Sequence, residues 1–310
     1  MKLRRRNSSH VIDRRRAGGG GSLPGLGGGG GGFPGLGRGG GGGLPIGGKG
    51  GGLLLIVVIV IFAVCIAPKI FGGDSGFSGD IFSGLGQAQD GTGIDPANDP
   101  DRSTKQFVND VVSDVEETWG QLFAGSNTTF RPADLILFTG TTQTGCGQGS
   151  AATGPFYCPA DSKIYLDMSF FQELEQRFGA PGDFAQAYVI AHEYGHHIQN
   201  LLGINAQVQQ QSQQDPGRAN DLSVRLELQA DCLAGVWGHS LTSDELGPDE
   251  VDEALTAAAA IGDDRIQQST TGRIDPETWT HGSSEQRVQW FRTGFDSGDP
   301  NACDTFNTDI

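Results

Sequence analysis

Positive charge is scarce over most of this chain. Of 310 residues, 21 are Lys or Arg and 37 are Asp or Glu, yet residues 1–52 hold nine of the basic residues and one acid, Asp13. The remainder carries 12 basic residues against 36 acidic ones. A surface of that sign repels a phosphate backbone and argues against nucleic acid as its partner. Apolar side chains are scarce at the other end. Residues 1–52 are glycine-rich, with arginine clusters at Arg4–Arg6 and Arg14–Arg16 and a loose repeat of "LPGLGGGG", "FPGLGRGG" and "LPIGG". So little apolar surface predicts a disordered tail with no core of its own. There are five cysteines and no C-x-x-C spacing, which counts against a four-cysteine zinc site.

One long hydrophobic run is present, Leu53–Ala67 in "GGLLLIVVIVIFAVCIAPKIF". Flanking glycines and Ile70–Phe71 lengthen it, and Lys69 can snorkel to an interface, so residues 53–71 read as a single transmembrane anchor. It lies too far from the N-terminus for a cleaved signal peptide. The basic side of a span stays cytoplasmic, so the expectation is a membrane protein with a cytoplasmic N-terminus and an extracytoplasmic remainder. Disulfides are permitted in that compartment. Cys65 is inside the anchor. Cys146 and Cys158 flank a short loop that suits a local bridge, which leaves Cys232 to Cys303 by elimination.

Residues 72–100 read as a linker and 101–310 as one domain. "TKQFVNDVVSDVEETWGQLF" places Phe107, Val111, Val115, Trp119 and Leu122 at helical spacing. "ADLILF" and "KIYLD" read as strands, with the cysteine loop between them. Later helices are signalled over 168–179, from a cap at Asp183 to Gly203, over about 218–240, from near 248, and from a capping box at Ser283 and Gln286. The glutamine-rich stretch 205–217 reads as a loop. The result is an α+β domain, rich in helix with a small sheet.

"AYVIAHEYGHHIQNLLG" carries H-E-x-x-H. Four residues along a helix return to the same face, so His192 and His196 can hold one ion, while Glu193 can reach a water beside it. His197 is off that face. Gly195 would let another backbone come close. "RLELQADCLAG" repeats the spacing with carboxylates. Glu227 suits a third ligand and Asp231 a partner for the outer nitrogen of a ligating histidine.

The stretches "AHEYGHHIQNLLG", "ELQADCLAGVW", "GPFYCPADSKIYLD" and "HGSSEQRVQWFRTGF" resemble the bacterial neutral zinc metallopeptidase family, membrane-anchored proteins with a zincin-like catalytic domain. The resemblance covers about residues 95–310. It implies zinc on His192, His196 and Glu227, with Glu193 as the catalytic glutamate. A looser likeness to membrane zincins with H-E-x-x-H and E-x-x-x-D implies that His281 and Arg287 contact the substrate carbonyl or brace the site. The proline common after that histidine is here Gly282.

The expected activity is peptide-bond hydrolysis of a peptide or protein substrate, with KIYLD as an edge strand beside the zinc helix that pairs with the extended peptide. Two other classes use the same residues: a zinc hydrolase of a non-peptide cell-envelope amide, and a non-catalytic surface binding or scaffold protein with a zinc site.

Overall fold

Apolar residues three and four apart give the domain its first helix, α1 (Arg102–Phe123), which buries Val108, Val111, Val115 and Trp119. The structure is a computed structural model that describes residues 1–3, 5–15, 94, 97–241, 244–247 and 249–310. The expected anchor at 53–71, most of the linker and the tail beyond residue 15 lie outside the described residues. Among the described residues, no helix is long and apolar enough to cross a membrane.

Four strands form the main sheet: β1 (Val11–Asp13), β2 (Asp134–Phe138), β5 (Phe156–Cys158) and β6 (Lys163–Asp167), in the order β1-β2-β6-β5. β1 and β6 flank β2 in parallel, and β5 runs antiparallel to β6. A separate hairpin, β3 (Thr141–Thr144) and β4 (Gly147–Ser150), occupies the cysteine loop. KIYLD is therefore an interior strand, and Ile164, Tyr165, Leu166 and Asp167 are all buried, which fits cover on both faces. The edge is "FYC", a three-residue strand too short to show an alternation in the sequence.

Helices follow: α2 (Ser169–Gln176), α3 (Asp183–Leu201), α4 (Ile204–Gln214), α5 (Ala219–His239), α6 (Val251–Ala260), α7 (Asp263–Thr271) and α8 (Ser284–Ser297). The expected loop at 205–217 is mostly helix α4. Glutamine is a good helix former, and Val208 and Ser212, four apart, turn inward. Asp183 does not cap α3. Gly182 holds the cap position at φ 115°, and the free Phe184 N–H donates to Glu253 Oε2 of α6 at 2.9 Å. The capping box of Ser283 and Gln286 on α8 is present as read.

The first fifteen residues correct the expectation of a wholly disordered tail. Val11–Asp13 join the sheet, and Arg15, 2% exposed, is ion-paired with Asp13 at 2.7 Å, Asp99 at 2.6 Å and Asp101 at 2.7 Å. Burial pushes the Asp13 carboxyl up, but Arg15 and Lys105 outweigh it and draw it down to about 2. Ahead of the strand, the Arg6 N–H donates to Asp110 and Ser8 and His10 meet Glu116, both acids on α1. The sequence obscured this segment because glycine-rich residues follow it directly and because its partners lie about a hundred residues away.

Both expected disulfides are formed, Cys146–Cys158 and Cys232–Cys303. The first ties the β3–β4 hairpin to β5. The second ties the C-terminal segment to α5.

Candidate metal centre

Helices α3 and α5 cross where neither has bulk. A Cβ on Gly195 would stand 2.9 Å from the Ala230 carbonyl oxygen and 3.0 Å from its Cα, so only glycine permits this approach. The close crossing brings the two four-residue spacings together. His192 Nε2 lies 3.2 Å from Glu227 Oε2, and His196 Nε2 lies 3.4 Å from Glu227 Oε1. One donor atom from each residue falls within 4.8 Å of the others. Donors about 2.0–2.1 Å from a shared ion stand roughly 3.3 Å apart in a tetrahedron, so this set fits zinc, and its chemistry of two imidazoles and a carboxylate suits that ion.

The far nitrogens of both histidines are held. Asp231 Oδ1 accepts from His192 Nδ1 at 2.8 Å, and Gln199 Oε1 accepts from His196 Nδ1 at 2.8 Å. Each bond leaves Nε2, the nitrogen that would take the ion, turned toward Glu227. Burial works against a proton on His192, but Asp231 and Glu227 outweigh it and raise its pKa to about 10, so an ion must displace a proton to bind.

Asp231 is fully buried and carries more than the histidine. Tyr188 O–H donates to it at 2.5 Å, and Arg287 grips both its oxygens, Nε to Oδ2 at 2.8 Å and Nη2 to Oδ1 at 2.9 Å. Burial raises the Asp231 carboxyl, and the charges of Arg287 and His192 more than reverse that. Of the two roles expected for Arg287, the contact it makes is the bracing one. Its guanidinium is committed to Asp231.

Glu193 is 8% exposed beside the two histidines, with the backbone N–H of Tyr157 on β5 near its carboxyl. Burial pushes its carboxyl up, against the pull of the neighbouring imidazoles. No Lys or Arg pairs with it among the described residues. His197 turns away: Nε2 donates to the Arg131 carbonyl at 2.6 Å, and Nδ1 accepts from Tyr157 O–H at 3.2 Å. It pins α3 to the sheet.

His281 lines the same cleft as the three donors, a cavity of about 630 Å³. Asp263 holds it, with Oδ1 at 3.2 Å from His281 Nδ1 and Oδ2 accepting the backbone N–H groups of Thr280 and His281, each at 2.7 Å. The sequence reading missed Tyr188, Gln199 and Asp263. Gln199 and Tyr188 stand at helical spacing from the histidines, three after His196 and four before His192, and that is the signal that could have found them. Asp263 has no local signal.

The edge strand runs along α3. Backbone groups alternate sides along a strand, so Pro155 and Pro159 share the outward side of Tyr157. Neither proline has an N–H, and that of Tyr157 lies near the Glu193 carboxyl. Carbonyl acceptors remain along this edge.

Two helices thus bring together the donors of a candidate metal centre of the H-E-x-x-H type, with Glu227 from the second helix and the buried Glu193 alongside. The chain belongs to the family described as "Putative neutral zinc metallopeptidase", whose model matches residues 1–306. YpfJ, an uncharacterized protein of Escherichia coli K12, is 44% identical over 314 aligned residues, covering 99% of this chain and 98% of its own. Two mycobacterial proteins named as uncharacterized, Rv2575 of Mycobacterium tuberculosis H37Rv and Mb2605 of Mycobacterium bovis, are each 49% identical over 205 residues, 62% of this chain and 67% of theirs. No solved structure matches.

Proposed function

We propose that this chain hydrolyses peptide bonds by a metal-assisted attack of water, with Glu193 as the general base. The observation that carries the reading is Glu193 itself, a buried carboxylate lining a cleft beside three metal donors, with no Lys or Arg paired with it among the described residues. Zinc on His192, His196 and Glu227 would supply Lewis acidity, lowering the pKa of a water to about 7 and polarising the scissile carbonyl.

The protein's own groups do the rest. Glu193 takes a proton from the attacking water and passes it to the leaving nitrogen. Its burial raises its basicity for that transfer. His281, oriented by Asp263, donates to the carbonyl oxygen as negative charge develops there. Asp231 and Gln199 hold the histidines, with Arg287 and Tyr188 fixing Asp231. A peptide along β5 gives its N–H groups to the outward carbonyls, since Pro155 and Pro159 have no N–H to offer there. The apolar run at 53–71 supports attachment to a membrane.

The test is cleavage of a diverse peptide library by the full chain in detergent, zinc-loaded, against Glu193→Gln. The variant is expected to keep its zinc and to lose about 10²–10⁴ of kcat/KM. Equal cleavage by both proteins would sink the mechanism. Cleavage of cell-envelope amides and not of polypeptides would move the activity to another substrate.

A further inference from the structure

We infer that the cleft on the N-terminal side of His192 is a seat for one bulky apolar side chain of the substrate, formed by Val189, Phe170, Phe178, Ile261 and Ile266, so that this enzyme cuts beside an aliphatic or aromatic residue. The inference rests on the peptidase reading above and names its substrate class.

The cleft has two chemically different ends. Along α3 its lining residues follow one face, from Val189 through His192, Glu193 and His196 to Asn200. Past His196 the lining is mixed, with the amides Asn200, Asn205 and Gln209 among Ala206, Val208 and Leu226. Before His192 it is lined by carbon. Phe170 and Phe178 stand with ring centroids 6.3 Å apart, and Ile261 and Ile266 approach from the other side around the start of α7. These four are half-buried, unlike the closed core behind them. The wall facing Phe170 is bare backbone at Gly154, where a Cβ would stand 3.4 Å from the ring.

Two charged side chains at this end, Glu173 and Arg177, are paired with each other at 3.6 Å, and Arg177 lies over the Phe178 ring at 5.6 Å. Arg287, at the floor, is committed to Asp231. A charged substrate side chain would therefore lose water here without gaining a counter-ion, whereas an apolar one gains contact on several sides. The seat is also fixed relative to the metal donors. The Ile261 carbonyl accepts from Arg287 Nη1 at 3.5 Å, and the same guanidinium holds the aspartate that orients His192. A side chain in the seat thus sets where the peptide backbone crosses the centre.

The experiment profiles peptide-library cleavage by the zinc-loaded full chain, with Glu193→Gln as the blank. Glu193-dependent cuts are expected to share one position, next to the broken bond, filled by Phe, Leu, Ile, Met or Val. There kcat/KM should exceed that of the same peptide with Ser by about 10–100-fold. Ile266→Asp, at a half-exposed site on α7, should bring Lys and Arg into that position and reduce the apolar advantage at least about tenfold. Phe178→Ala should enlarge the seat and shift preference toward the largest rings. Zinc content and thermal unfolding of both variants check that they fold. Glu193-dependent cuts without an apolar position, or a preference unmoved in both folded variants, overturn the seat while leaving the peptidase intact. Absence of any Glu193-dependent cut overturns both.

Discussion

Gln199 and Asp231 perform the same task for two histidines with different chemistry. One is a neutral amide whose own N–H groups reach the Leu226 carbonyl and Gln229. The other is a buried charge whose cost is offset by Arg287. Removing either frees an imidazole to turn, and both Gln199→Leu and Asp231→Ala are expected to weaken zinc binding by about 10–100-fold in competition with a chelator. They should differ in stability. Asp231→Ala strands a buried guanidinium and should cost about 3–5 kcal/mol in unfolding, well beyond the loss in Gln199→Leu. Unchanged zinc affinity in Gln199→Leu would show that the amide does not position His196. His192, Glu193, His196 and Glu227 were legible because each pattern is contained within one helical turn. Tyr188, Asp263 and the bracing role of Arg287 depend on which helices meet, and nothing local announces that.

At the scale of elements, α5 and α8 approach as closely as α3 and α5. A Cβ on Gly294 would stand 1.9 Å from the Cys232 carbonyl oxygen, a main-chain atom that cannot swing aside. Gly294→Ala is therefore expected to push α8 away from α5 and destabilise the fold by at least about 1–3 kcal/mol, read from thermal unfolding. A melting temperature equal to that of the wild type would show that the helices have room to spare. The expected α+β class and the long helices were readable from periodicity, and the Ser283 capping box from its own residues. The cap of α3 was not, because Glu253 supplies it from about seventy residues away. Neither was the edge strand: three residues flanked by prolines carry too short a pattern, so the longer KIYLD drew the assignment that belongs to its neighbour.

For the whole molecule, the first fifteen residues tie distant parts of the domain together. They run from an ion pair between the Met1 amino group and Glu250 to the buried Arg15, and one contact in between, His10 with Glu116, lies beside Tyr194 of the zinc helix. Their docking has a consequence for topology. Arg15 and Asp99 are bonded to each other, so the residues on either side of the stretch that holds the apolar run sit side by side. The charge rule put the basic tail in the cytoplasm and the domain outside, and a docked arm cannot be reconciled with a bilayer between the two. We propose that both lie on one side. Single cysteines at the exposed positions Ser9 and Asp309, with Cys65 replaced, decide it in intact cells: a membrane-impermeant maleimide should label both or neither. Labelling of one alone would mean that the arm leaves the sheet.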